Sequence, residues 1–163
     1  MRIILRSVES SDLERIRRHR NEPVTQRWLE AQIFIDLKSQ QVWFKSGGAC
    51  SFRIIQEGDR DIGLGRLLVS KDAQWCTVGL DIFSEYRGQR LATPAFQAVI
   101  EDGLKLASHL DLWVFIANTF AIRTYIQCGF IHDHSTPVKF FTREIDGQIG
   151  VHSYVRMIYK QNA

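Results

Sequence analysis

The sequence predicts an α/β fold, α+β under some conventions: a mixed, mostly antiparallel, twisted sheet with helices on both faces. Three observations predict it. Three strand-like runs between residues 51 and 83 follow one another across short polar turns, which calls for an antiparallel meander. An amphipathic helix then stands between two strands, the βαβ order that sets strands parallel. Three more strand-like runs close the chain after residue 130. The 163 residues suit one domain, expected to span 1–163, and no repeat, linker or low-complexity stretch divides them.

Taken in order, Arg2–Val8 reads as a first strand. Ser11-Asp12-Leu13-Glu14 fits a capping box, in which the serine and Glu14 side chains each satisfy an amide at a helix start, and a helix to about His19 follows. Pro23 restarts the chain into a short helical stretch around Gln26–Leu29. Asp36–Ser46 is a third helix, ended by Gly47-Gly48. Ser51–Gln56 and Ile62–Ser70 flank the polar turn Glu57–Asp61 as a hairpin, and Trp75–Phe83 is the next strand.

Phe96, Val99, Ile100, Gly103, Leu104 and Ala107 then recur at helical spacing, with Gln97, Glu101, Asp102 and Lys105 on the other face. Gly103 in the apolar stripe lets this helix approach the sheet closely. Asp111–Ala117 is an apolar strand, expected parallel to Trp75–Phe83. Asn118–Cys128 is a helix stopped by Gly129, and Phe130–His134, Lys139–Glu144 and Gly150–Tyr159 are closing strands, with Asp146-Gly147 as a hairpin turn.

Composition excludes several classes. Hydrophobic residues at 45% and charged residues at 24% are those of a folded globular chain, so disorder is not expected. No run reaches the ~18 apolar residues of a membrane span, and the first residues lack the apolar core of a signal peptide. Cys50, Cys76 and Cys128 are odd in number and widely separated. That pattern fits reduced, buried thiols and a cytoplasmic location rather than a disulfide framework or a metal site. The basic cluster Arg15, Arg17, Arg18 and Arg20 is interleaved with Glu14 and His19 and has no aromatic platform. It reads as a solvated helix face or a rim that attracts an anionic substrate, and neither a nucleic acid nor a membrane is expected as partner.

The chemistry is concentrated in two segments. Ser84-Glu85-Tyr86-Arg87-Gly88-Gln89-Arg90-Leu91-Ala92 leads a strand into the amphipathic helix, whose first amides and positive dipole end make an anion site. Gly88 leaves room for close approach, Thr93 adds a hydroxyl, and Pro94 is tolerated in the first turn. Asn118–Phe130 is the second segment. Together they resemble the GCN5-related N-acetyltransferases, the GNAT family. Arg87–Ala92 matches its coenzyme A pattern, Arg/Gln-x-x-Gly-x-Gly/Ala. The later segment matches Asn-x-x-Ala-x-x-x-Tyr-x-x-x-Gly-Phe at Asn118, Ala121, Tyr125, Gly129 and Phe130. One position departs: Arg90 stands where the pattern has glycine, three residues after its Arg/Gln. Its side chain either crowds the cofactor or folds back to pair with a phosphate.

The resemblance implies an acyl-CoA-dependent N-acetyltransferase acting by direct attack of a primary amine on acetyl-CoA. It implies that the strand before the loop and its parallel neighbour splay apart, and that the pantetheine arm inserts between them. Backbone groups of Ile82 and Phe83 would bond that arm, with Asn118 helping. Arg87, Gly88, Gln89, Arg90, Leu91, Ala92 and Thr93 would hold the pyrophosphate, and Tyr125 would contact the cofactor and protonate the leaving thiolate. Asp81, on the strand face opposite Leu80 and Ile82, is the candidate base or amine-positioning group, with Glu57, Asp59 and His132 as alternatives. His132 and His134 share a strand face but lack the further ligands zinc needs, so no metal is expected.

Trp28, Phe34, Trp43 and Phe44 lie in the region that would wall the acceptor side, most of them as core. The N-terminal third resembles the branch with ribosomal-protein N-terminal and nucleotide-amino-sugar acetyltransferases, which leaves a small-molecule or peptide amine as acceptor and a monomer or homodimer as the assembly. A non-catalytic acyl-CoA sensor or interaction domain is the competing reading, because of Arg90 and the absence of an unmistakable base.

Overall fold

A computed structural model describes residues 2–145 and 147–160. Their β-branched and aromatic runs pair into one sheet. In chain order the elements are β1 (Ile3–Ser7), α1 (Leu13–Asn21), α2 (Pro23–Gln26), α3 (Leu37–Lys45), β2 (Phe52–Glu57), β3 (Arg60–Val69) and β4 (Trp75–Ile82). They continue with α4 (Ala92–Leu106), β5 (His109–Phe115), α5 (Thr119–Gln127), β6 (Phe130–His132), β7 (Lys139–Ile145) and β8 (Gln148–Tyr159).

The strand order is β1-β2-β3-β4-β5-β8-β6, with β7 also paired to β8. Every pairing is antiparallel except β4–β5. That parallel pair is short: it runs from Trp75↔His109 to Thr77↔Asp111 and then stops. The strands therefore part beyond Thr77, and their C-terminal halves frame a gap.

Side chains paired across a ladder share a face. Gly63, Gly65 and Leu67 stand beside Ile82, Leu80 and Val78 on one face, where α4 and α5 close the main core around Val99, Phe96, Leu110, Leu112 and Phe130. Gly103 works there as expected, since an added Cβ would come within 2.9 Å of Leu110 Cδ2 and 3.2 Å of Val78 Cγ1. The other face carries Leu64, Asp81, Arg66 and Gly79, and a smaller cluster of Ile16, Ile54, Leu64 and Phe83 holds α1 against it.

Local chemistry moved a few boundaries. The first helix begins with a 3-10 turn at Ser10–Asp12, and the box closes on Asp12 rather than Glu14. Asp12 accepts the Glu9 amide at 2.8 Å and holds Arg6 through two bonds at 2.7 and 2.8 Å. A carboxylate already committed to Arg6 nucleates the turn two residues earlier, with Glu9 as the cap. Pro23 opens α2 itself rather than preceding it, and α2 ends at Gln26. β6 stops at His132, which leaves His134 in the following turn, although the two rings still lie 6.0 Å apart. Gly147 has a left-handed φ of +79°, whereas Asp146, its partner in the expected turn, lies outside the described residues.

Candidate active site

The loop after β4 is built from the backbone outward. Residues 84–86 form a 3-10 turn, Gly88 and Arg90 take left-handed φ values of +78° and +60°, and Leu91 drops its side chain into the core to start α4. The Arg87 amide is spent on Ser84 and that of Ala95 on Leu91. Between them the amides of residues 88–93 have no acceptor among the described residues. They cluster at the positive end of α4, and a Cβ at Gly88 would meet nothing within 4 Å. A diphosphate fits such a cradle.

Arg90 is exposed and makes no hydrogen bond or ion pair among the described residues, so its guanidinium can turn toward an anion. Its φ explains the glycine of the family pattern, since a side chain is strained in this conformation. Gln89 folds back onto the Glu85 carbonyl at 3.0 Å, and the Thr93 hydroxyl meets Gln127 Oε1 at 3.3 Å.

The gap lies beside this loop. Phe83 donates its amide to Ile62 at 3.0 Å, and its carbonyl accepts from Tyr86. In an antiparallel ladder, hydrogen-bonding directions alternate, so Phe83 and Asp81 face β3 while Ile82 and Leu80 turn theirs toward the gap. Of the two residues expected to bond pantetheine through their backbones, Ile82 is thus oriented for it. Phe83 faces β3, and Leu80 is the neighbour whose backbone, like that of Ile82, faces the gap. The Ile82 carbonyl is covered by Arg87, which donates Nε to it at 3.0 Å and Nη2 to the Oγ1 of buried Thr25 at 2.9 Å. Asn118 caps α5, accepting the Ala121 amide at 3.3 Å, so its side-chain oxygen is engaged.

Tyr125 and Asp81 stand on the two sides of the gap. Tyr125 is buried, with its ring centroid 4.8 Å from that of Phe96, and its hydroxyl makes no hydrogen bond among the described residues. Burial, reinforced by the charge of Asp81, holds its phenol well above the ordinary tyrosine range, so it is a protonated donor. Asp81 meets Arg20 of α1 at 3.5 Å, and both are partly exposed. Of the alternative acids, Glu57 pairs with Arg60 at the β2–β3 turn, where Arg60 also lies over the Tyr86 ring at 5.6 Å. Asp59 lies in that same turn, and His132 is on β6 at the other end of the sheet.

His19 is the residue that sequence reasoning passed over. It is 3% exposed, stacks edge-on against Phe83 at 5.1 Å, and neither ring nitrogen has a hydrogen-bond partner among the described residues. Glu22 Oε2 lies 3.6 Å from Nδ1 and itself accepts from the Ser84 hydroxyl. Burial pushes the imidazole pKa below its ordinary value, against the opposing pull of Asp81 and Glu22. Its spacing to Glu22, three residues on along a helix, was the only signal available.

On the same face, α1, α3, β2 and β3 enclose a cavity of about 280 Å³. Ile16, Ile35, Trp43, Phe52 and Leu64 make its walls apolar, and Arg20, Ser39 and Gln40 are its polar lining. Trp43 walls this cavity, whereas Phe34, expected with it on the acceptor side, is 72% exposed. A groove of about 460 Å³ between α1 and the end of β4 includes Arg15, His19, Glu22 and Glu85.

The basic cluster is closed by its own chain. Arg15 pairs with Glu85, Arg17 and Arg18 with Glu14, and Arg20 with Asp81. Among the described residues no three potential metal ligands come together, and no helix is long and apolar enough to cross a membrane.

A family profile described as an acetyltransferase (GNAT) domain matches residues 2–131. Among solved structures, the spermidine N-acetyltransferase of Vibrio cholerae in complex with CoA and spermine is 20% identical. It is covered over 96% of this chain and 94% of that one, with a TM-score of 0.76. A candidate phosphinothricin N-acetyltransferase is 16% identical over 99% and 100% of the two chains, with a TM-score of 0.77. A search of curated protein sequences returns no match.

Proposed function

The chain belongs to the GNAT family of acetyl-CoA-dependent N-acetyltransferases, and on that premise we propose that it acetylates a primary amine by direct attack at the gap between β4 and β5. One observation carries the proposal. The two strands part beyond Thr77–Asp111, beside a loop whose amides at 88–93 lack acceptors.

Acetyl-CoA, the donor substrate, supplies an activated thioester. The amides of residues 88–93, the N-terminus of α4 and the Arg90 guanidinium hold its pyrophosphate. Arg87 leaves the Ile82 carbonyl so that the backbone of Ile82 and Leu80 can bond the pantetheine arm, and the Asn118 Nδ2 is free to join them. Asp81 orients the ammonium and draws off a proton, directly or through water, since only a neutral amine attacks. Tyr125 holds a proton at its phenol oxygen for the departing sulfur.

Two acceptor classes fit the site poorly. A polyamine calls for carboxylates along its length, yet the lining of the cavity of about 280 Å³ has one charged side chain, the cation Arg20, and Glu14, Glu22 and Glu85 lie in the separate groove. A nucleotide-linked amino sugar would exceed a cavity of about 280 Å³.

The test follows coenzyme A release from acetyl-CoA with a panel of amines. Tyr125→Phe should lower kcat by about 10²-fold or more, the usual range for a lost general acid. Folding and coenzyme A affinity should be kept, because the hydroxyl has no partner to lose. An unchanged kcat would remove Tyr125 from this role. Tight acetyl-CoA binding with no transfer to any amine would favour the sensor reading instead.

A further inference from the structure

The geometry points to a free amino acid with a large apolar side chain as the acceptor: its ammonium on Asp81, its carboxylate on Arg20, and its side chain in the cavity between α1, α3 and the sheet. This rests on the β4–β5 gap being the place of transfer. Asp81 and Arg20 lie 3.5 Å apart and both keep access to solvent. They therefore present adjacent opposite charges, the complement of the ammonium and carboxylate that an α-amino acid carries on one carbon. Asp81 stands opposite Leu64 in the β3–β4 register, and Leu64 lines the cavity. Cross-strand neighbours are about 5 Å apart, so an amino group at Asp81 places its side chain at the cavity mouth.

The cavity's chemistry agrees. Its walls are Ile16, Ile35, Trp43, Phe52 and Leu64, which suit an aliphatic or aromatic body. At about 280 Å³ it lies at the small end of ligand pockets, sized for one such side chain. Gln40 is an independent pointer. It is 3% exposed, lines the cavity, and its Nε2 has no acceptor. A buried donor left unpaired is costly, which favours an occupant whose carboxylate, beside Arg20 in the same lining, offers Nε2 an acceptor.

The surrounding face is also short of anions. Arg66, packed over Gly79 of β4, has a buried Nε without a partner. Arg143 is 5% exposed, bonds only the carbonyls of Gln26 and Leu29, and leaves Nε and Nη1 unpaired. Arg66 stands diagonal to Asp81 in the β3–β4 register, so its unpaired Nε favours an acceptor that carries negative charge beside its amine. In the reaction the nitrogen forms a bond to the acetyl carbon and loses a proton, while the carbon–sulfur bond breaks and the sulfur gains one.

The experiment measures binding to the coenzyme A-saturated protein by calorimetry, using L-phenylalanine, L-leucine, phenethylamine and spermidine, and then transfer from acetyl-CoA to each. The amino acids should bind at least about tenfold more tightly than phenethylamine, the loss expected when a charge-assisted bond is removed. In Arg20→Met that preference should disappear while phenethylamine affinity stays within a few-fold. Gln40→Met should weaken the amino acids with Arg20 intact.

Equal or tighter binding of phenethylamine or spermidine by the unaltered protein overturns the proposal. If such an amine is also acetylated with dependence on Tyr125, transfer at the gap stands and only the substrate class is wrong. Amino acids bound with the carboxylate preference, but no amine acetylated, would uphold the pocket and sink the transfer reading.

Discussion

Arg90 is the residue at which the chain departs most plainly from its family's pattern, and its backbone shows what the departure costs. A φ of +60° is uncommon for a residue with a Cβ, and the penalty is ~1–2 kcal/mol. Glycine would relieve it but would add ~0.4–1 kcal/mol of unfolded-state entropy. Arg90→Gly should therefore raise stability by only about 0.5 kcal/mol in denaturant titration. Weaker coenzyme A binding in the same variant would show that the guanidinium helps hold the pyrophosphate. A clear loss of stability would mean that the conformation carries no strain.

His19 makes a second prediction. Its pKa is held below the ordinary 6.5 by burial, so the folded state resists protonation more than the unfolded chain does. The stability that depends on neutral His19 is complete above pH 6.5 and drains away as pH falls below it through the lowered folded value. Urea titrations between neutral and mildly acidic pH should show this loss, and His19→Phe, which keeps the edge contact with Phe83, should flatten it. Identical acid limbs in the two proteins would rule His19 out. Neither residue's importance was visible beforehand in full. Arg90 stood out by its mismatch, but its φ did not; His19 looked like one more polar position on a basic helix.

At the scale of elements, the decisive feature is where β4 and β5 stop pairing. Asp111 sits at the last pair, 6% exposed, and takes the Thr77 hydroxyl at 2.6 Å and Arg156 Nε at 2.7 Å. It thereby ties β4, β5 and β8 together just below the gap. Asp111→Ala leaves Thr77 and Arg156 short of their acceptor. It should destabilise by about 2–3 kcal/mol, the worth of a hydrogen bond to a charged group. Because the stitch lies at the foot of the gap, coenzyme A affinity should fall with it. A variant as stable as the parent in chemical denaturation would deny Asp111 this role. The strands were legible because apolar alternation and turn residues are local signals. The stop in their pairing was expected only through the family resemblance, and its cause was not: Asp111 within an apolar strand does not reveal its partners 34 and 45 residues away.

Across the whole molecule, the two faces of the sheet are unequal. α4 and α5 cover one face through the large continuous core, whereas α1 is held by the cluster of Ile16, Ile54, Leu64 and Phe83 and borders the acceptor cavity. Less buried apolar surface means less local stability. Hydrogen exchange should therefore be faster through α1–α3 than through α4 and β3–β5, and an acceptor bound in the cavity should slow it selectively on the α1–α3 side. Uniform protection across both faces would contradict this.

What the sequence determined by itself was the order and kind of the elements, the anion-binding loop and the two motif segments. Each depends on neighbours along the chain: alternation, helical spacing, a glycine in a turn, amides at a helix start. What only the tertiary structure decided was which groups remain available. It spent Phe83's backbone on β3, placed Arg87 over the Ile82 carbonyl, closed the basic cluster with carboxylates, set Arg20 beside Asp81, and left Gln40 facing an apolar cavity unpaired. Hydrogen-bond partners and desolvation are set by what lies next to a group in space, and contacts such as Phe83–Ile62, Arg15–Glu85 and Arg20–Asp81 join residues more than twenty positions apart.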